Sequence, residues 1–210
     1  MRVEIRADSV HIEGYVNAVD RDSRPIPSPK GRFIERIRPK TFEKSLKRSP
    51  NVELRFNHRQ DRVLGSTGTG ELTLYEDNIG LRAKCIVTDP EVMEKARKKE
   101  LRGWSFGFCV NKDKWEDAEN GMQRRYLEDI DLSEVSILDR TPAYVATSIE
   151  QRGDDESAFE KRSIEDVSEV IDAREKEKEQ EQEKRDLLSV QKCEVEYLKM
   201  KGGFYDGENF

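Results

Sequence analysis

The sequence predicts an α+β fold: a β-rich curled sheet or small barrel flanked by a few helices, with a charged C-terminal extension. Three observations predict it. Apolar and polar residues alternate over many short segments parted by Gly, Pro, Asn and Asp, which is the period of half-buried strands. Only two segments before residue 150 carry helix spacing and helix starts. The acidic excess is confined to one stretch near the C-terminus. From Glu150 to Asp186 there are 15 acidic and 8 basic side chains in a chain of net charge −6, so the remainder is close to neutral. A chain that is 34% hydrophobic and 39% charged would build a poor core if evenly mixed, and the uneven spread is what permits a compact domain over residues 1–150.

In chain order, Val3 and Ile5, then Val10, Ile12 and Val16, give strand periodicity over the first twenty residues. Pro25, Pro27 and Pro29 remove ladder donors at every second position, so Asp22–Lys30 is expected as loop. Pro39-Lys40-Thr41-Phe42 opens a short helix, with Phe42 and Leu46 on one face and Pro50 beyond its end. Val52, Leu54 and Phe56 alternate toward His58. Arg62–Ser66 is a further strand, and Glu71–Val87 is a hairpin turning at Glu76-Asp77-Asn78-Ile79-Gly80. Asp89-Pro90-Glu91 combines an acidic N-cap with proline at the first helical position and starts a helix running to about Glu100. Trp104–Val110 is a strand. Trp115 and Gln123–Asp129 form a second hairpin about Glu119-Asn120-Gly121, and Leu132–Leu138 is another strand. Tyr144–Ile149 ends the compact part.

Beyond it, residues 151–186 are expected as a charged linker or exposed helix, because Arg174–Asp186 contains only charged residues and glutamine and has no face to bury. Residues 187–210 regain Leu188, Val190, Val195, Leu198 and Phe204, enough for a docking segment or a removable end.

Several function classes are disfavoured. A near-neutral domain lacks the clustered basic face of a nucleic-acid binder. The basic run from Arg32 to Arg48 is expected as a solvated helix face. No apolar run reaches membrane-spanning length, and no apolar signal core follows the N-terminal charges. Cys85, Cys109 and Cys193 are odd in number and scattered, which fits reduced thiols in a cytoplasm. With no Cys-x-x-Cys pair and His11 and His58 far apart, neither a metal nor another cofactor is expected.

The densest aromatic run, Leu101–Val110, holds Gly103-Trp104-Ser105-Phe106-Gly107. This satisfies G-x-S-x-G, the nucleophile-elbow pattern of α/β-hydrolases. That fold is excluded: its histidine follows the serine in the chain, and none follows Ser105; its elbow runs into a helix, and Phe106–Val110 has strand character. Serine chemistry survives without the fold. A serine hydroxyl attacks at neutral pH only with a base to take its proton. His11 sits in an alternating strand and is expected to be structural, whereas His58 ends a strand where polar residues converge. A carboxylate should orient the imidazole. Glu134, set among Leu132, Val135, Ile137 and Leu138, needs a partner, while Asp61, Asp129, Asp131 and Asp139 are rivals that spacing does not exclude. Trp104, Phe106 and Phe108 point opposite to Ser105 and Gly107, so one face anchors in the core and the other presents the hydroxyl, with glycine leaving room for a substrate backbone. Cys109 is a weaker alternative nucleophile.

Short motifs, taken in order, carry a resemblance. They are Ile12-Glu13-Gly14-Tyr15, Phe33-Ile34-Glu35-Arg36-Ile37, Phe42-Glu43-Lys44-Ser45-Leu46, Asn57-His58 with Val63-Leu64-Gly65, Asp77-Asn78-Ile79-Gly80-Leu81, Gly103–Phe108, Leu132–Ile137 and Pro142-Ala143-Tyr144. Over about Glu13 to Thr147 the chain resembles the prohead (capsid maturation) proteases of tailed phages, relatives of the herpesvirus assemblins. The resemblance implies a serine endopeptidase on a curled β-barrel, with Ser105 as nucleophile, His58 as base and Glu134 as the orienting acid. It also implies action inside the immature capsid, in the host cytoplasm, on scaffold and capsid proteins and on the enzyme itself. Oxyanion donors are left open between backbone amides near Ser105 and Arg140, as is homo-oligomerisation. The exposed tail is then a site of self-trimming after Gln151, or a docking element. The alternative is a non-catalytic assembly factor that keeps the fold.

Overall fold

The computed structural model describes residues 1–49, 51–118, 121–139, 149–150, 159–165 and 169–202. The chain divides into two units, Met1–Ile171 and Asp172–Phe210. The first is mixed α+β, and its strands lie in two open sheets rather than a closed barrel.

The five-stranded sheet contains β1 (Arg2–Ile5), β2 (Val10–Ala18), β7 (Leu72–Glu76), β8 (Gly80–Val87) and β13 (Glu169–Asp172), in the order β13-β1-β2-β8-β7. The eight-stranded sheet contains β3 (Ile26–Ser28), β4 (Gly31–Ile37), β5 (Glu53–Phe56), β6 (Val63–Ser66), β9 (Gly103–Asp117), β10 (Gln123–Leu138), β11 (Ile149–Glu150) and β12 (Phe159–Glu165). Its main path is β11-β12-β9-β10-β4-β3, with β5 and β6 joined to the same sheet through β10. One apolar core unites both sheets: Val3, Ile5, Ile12 and Leu81 from the first meet Trp104, Phe106, Phe108, Leu132 and Val135 from the second.

The helices are α1 (Thr41–Arg48) and α2 (Pro90–Arg97). Asp89 caps α2 as its sequence predicts, accepting from the amides of Glu91 and Val92 with Pro90 in the first turn. No side chain of its own caps α1. The Glu76 carboxylate of β7 reaches across and takes the amides of Lys40 and Glu43. Phe42 from α1 then meets Phe106 edge-on, with ring centroids 5.5 Å apart.

Four expectations change. Pro27 lies in strand β3, because an edge strand tolerates a missing donor on its outer side. The basic run is not one helix face: Arg32 and Arg36 lie on β4, where Arg36 pairs with Asp22, and Arg48 on α1 holds Asp129 and Asp131. The strands expected around Trp115 and on both sides of Asp129 are two long continuous strands, β9 and β10, paired along nearly their whole length. The charged segment after Gln151 supplies β12 and β13, so the compact unit extends to Ile171. Tyr144 and Pro142-Ala143 lie outside the described residues. The second unit contains α3 (Arg174–Gly202), along which Leu187, Leu188, Val190, Val195 and Tyr197 are exposed.

Candidate active site

β10 is the axis of the site because it has different neighbours along its length. On one side it pairs antiparallel with β9 throughout. On the other it pairs parallel with β4 over Gln123–Leu127 and with β5 over Glu134–Ile137. The second arrangement brings the end of β5, and the histidine that follows it, beside Glu134.

The turn after β5 is built to aim that histidine. Asn57 and His58 have φ of 53° and 60°, two consecutive left-handed residues without glycine. Such a turn persists only where it is held. The Asn57 amide donates to the Ile137 carbonyl at 3.0 Å, and the Arg59 amide to the Phe56 carbonyl at 3.1 Å. The Asn57 side chain donates to Asp139 at 2.9 Å, and its oxygen accepts the Asp139 amide at 3.2 Å. The His58 amide donates to the Ser136 hydroxyl at 3.2 Å.

Glu134 is fully buried, and among the described residues its side chain has three partners. Oε1 lies 2.7 Å from His58 Nδ1. Oε2 accepts the Ser136 hydroxyl at 3.1 Å and lies 3.5 Å from the Arg55 guanidinium. Burial pushes this carboxyl up. The hydrogen bond from His58, the charges of His58 and Arg55, and the Ser136 hydroxyl outweigh burial and hold it below the usual carboxylate range. An ionised carboxylate can only accept, so His58 Nδ1 carries the proton and Nε2 is the nitrogen left for a base.

A β-bulge makes this geometry possible. Leu132 is opposite Phe108 and Glu134 opposite Gly107, so Ser133 is the extra residue. Ile130 and Leu132 thus face the core on one parity, and Val135 and Ile137 on the other. Glu134 and Ser136 are turned to the face of β9 that carries Ser105 and Gly107. Ser136 is directly opposite Ser105.

Gly107 has a different role from the one its sequence suggests. A Cβ there would lie 2.8 Å from Glu134 Cγ and Oε1, and 2.3 Å from Phe159 Cζ. The space is filled by the acid itself and by Phe159 of β12; it is not left open for a substrate. Ser105 lies on the expected face, with Trp104, Phe106 and Phe108 buried on the opposite one, but it is also fully buried. Its hydroxyl donates to the Arg162 carbonyl at 2.6 Å, and β12 runs antiparallel to β9 with Ser163 opposite Ser105.

The rival groups are placed elsewhere. Asp129 and Asp131 bind Arg48, Asp61 binds Arg59, and Asp139 pairs with Lys95 at 2.8 Å while bracing the His58 turn. His11 lies on β2 in the other sheet, opposite Glu4 and Ile86. The Cys109 thiol is pushed up by burial and then by the charges of Asp131 and Glu160, which keeps it protonated. Arg140 lies outside the described residues. Among the described residues no cluster of metal-ligating side chains is found. Sequence reasoning missed Ser136 and Arg55. The signal for Ser136 was its place two residues from Glu134 on the same face of a strand, and the switch in apolar parity at Ser133 marked the bulge.

The family model for caudovirus prohead serine proteases matches residues 1–162, well over half of the chain, and the chain belongs to that family. No curated protein and no solved structure matches it.

Proposed function

We propose that this member of the caudovirus prohead serine protease family is the endopeptidase of capsid maturation, working through Ser105, His58 and Glu134. The observation that carries the reading is the 2.7 Å contact between His58 Nδ1 and a fully buried Glu134, on the face of the sheet that also holds Ser105. A buried carboxylate set on an imidazole nitrogen orients that ring and stabilises its charged form.

In the proposed reaction His58 Nε2 takes the Ser105 proton as Oγ attacks the scissile carbonyl carbon. The tetrahedral intermediate collapses, the C–N bond breaks, and His58 returns the proton to the departing amine. Water then attacks the acyl-serine by the same proton route and frees the acid. Glu134 stays ionised and stabilises the imidazolium. Ser136 fixes both partners, since one hydroxyl accepts from the His58 backbone and donates to Glu134.

The substrates are the scaffold and capsid proteins of the immature head, inside the procapsid in the host cytoplasm, together with the enzyme's own chain beyond Gln151. No helix of the described chain is long and apolar enough to cross a membrane. The burial of Ser105 also fits the rival reading, an inert assembly factor that keeps the fold. A fluorophosphonate probe separates the two. Labelling at Ser105 that His58→Ala abolishes supports the protease, and a chain that never labels supports the inert factor. Intact mass of wild type against Ser105→Ala tests self-trimming: equal full-length masses would remove it.

A further inference from the structure

Strand β12 is held by more than its ladder. Arg162 lies in a buried cluster with Glu35 of β4, Arg125 of β10 and Glu160 of β12, all under a tenth exposed. The guanidinium grips Glu35 with two parallel bonds, Nε to Oε1 at 2.6 Å and Nη2 to Oε2 at 2.7 Å. It also reaches Glu160 at 2.5 Å and lies over the Phe108 ring, 5.2 Å from its centroid. Arg125 holds Glu160 at 2.8 and 2.9 Å, and Glu35 at 3.5 Å.

This fork has a consequence at the nucleophile. It sets the register in which Arg162 stands opposite Phe106 and Ser163 opposite Ser105. In that register the Arg162 carbonyl is the group on which the Ser105 hydroxyl places its proton. Phe159 of the same strand covers Gly107. Lifting β12 away exposes two things together: the edge of β9 alongside Ser105, which is a template for an added strand, and the side chains of Glu35 and of Arg125, which keeps Asp113 as a partner at 2.6 Å.

We propose that β12 occupies the path of the substrate. On this inference, which rests on the protease reading above, the site takes an extended peptide antiparallel to β9. It selects an arginine whose carbonyl meets Ser105 and an acidic residue two positions earlier. Glu35 is the specificity-determining residue for the arginine, and Arg125 answers the acid. The bond cut follows the arginine: its carbonyl carbon passes to Ser105 Oγ, the next residue's amine leaves with the proton from His58, and water releases the arginine carboxylate. The chain's own Phe159-Glu160-Lys161-Arg162-Ser163-Ile164 is the occupant that must yield.

The test uses the full-length chain and quenched peptides carrying Phe-Glu-Lys-Arg-Ser-Ile, with alanine in place of the arginine in a second peptide. Phe159→Ala removes the ring over Gly107 and leaves the charged cluster intact. It is expected to raise the rate of fluorophosphonate labelling of Ser105 by about tenfold, which corresponds to about 1.4 kcal/mol of lost docking. On this variant the arginine peptide is expected to be cut after arginine with kcat/KM about 100-fold above the alanine peptide, since a buried fork left empty is penalised. Glu35→Gln is expected to remove most of that preference through KM. Equal cleavage of both peptides by a chain that labels at Ser105 would overturn the inference and leave the protease reading standing. Absence of labelling in wild type and Phe159→Ala alike would overturn both. The peptide comparison needs no change to the buried charges, so a Glu35→Gln chain that fails to fold leaves the test decisive.

Discussion

Two buried carboxylates along β10 invite comparison. Glu134 sits at one end of the strand, and Glu35 lies beside the other end, where β4 pairs with β10. Both are almost fully removed from water, and both depend on a nitrogen partner within 2.7 Å. They differ in what the partner can do. Glu35 is held by Arg162 and Arg125, whose guanidinium groups keep their protons throughout the accessible pH range. Glu134 is held by an imidazole, whose two ring nitrogens let it take a proton from one group while it donates to another. In the proposed reading the same burial makes a fixed clamp at one end and a proton-handling device at the other. A buried acid identifies a reactive site only when its partner can change charge.

The comparison is tested most severely at the reactive end. Ser105→Ala or His58→Ala is expected to lower kcat by about a million-fold, as when either member of such a pair is lost, and His58→Ala also to lower the melting temperature, because it takes a partner from the buried Glu134. Retained hydrolysis in either purified variant would remove the proposed triad. Glu134→Gln keeps the shape and takes away the charge. Its expected loss is about ten-thousand-fold in kcat, with fluorophosphonate labelling slowed in parallel.

The clamp end should behave in the opposite way. Arg125→Met strands Glu160 and Glu35 with one guanidinium between them, and should cost about 3–5 kcal/mol of stability, the range for breaking a buried ion cluster. Urea denaturation measures it. A cost under 1 kcal/mol would mean that water enters the cluster, and the clamp would be no clamp. Ser136→Ala should be milder. It removes one hydroxyl that serves both His58 and Glu134, worth about 1 kcal/mol and read as a several-fold fall in kcat with KM unchanged.

The smallest effect is in the pH dependence of folding. Glu134 is held below its unfolded value of about 4.3, so its ionised form stabilises the native chain above that pH. The contribution drains away as pH falls through the depressed native value. The stability difference between wild type and Glu134→Gln should therefore shrink on acidification below the ordinary carboxylate range. A difference that stays constant down to that range and below would show that Glu134 titrates as it does in the unfolded chain.

Much of the site was legible in residue order. The alternation of Trp104, Phe106 and Phe108 against Ser105 and Gly107 correctly set which side of β9 meets the core, because a strand has a two-residue period whatever it pairs with. The scarcity of histidines directed attention to His58, and an acid among apolar neighbours directed it to Glu134. Asp89-Pro90 marked the start of α2 because a cap is a local interaction. The failures are of another kind. Phe33 and Glu35 gave no strong strand signal, and β4 exists because Leu127 and its neighbours offer it a parallel partner. Residues 159–165 look like part of a charged tail, and they form β12 only because β9 has an open edge and Glu35 and Arg125 supply countercharges.

The sequence by itself determined the elements whose interactions are local: the periodicity of the strands, the two helix starts, and the presence of one serine, one well-placed histidine and one isolated acid. Only the tertiary structure decided what those residues do to each other. The bulge at Ser133 aims Glu134, the left-handed turn aims His58, and β12 covers Ser105. Each of these depends on contacts between residues far apart in the chain, and such contacts leave no period or composition for a sequence to display.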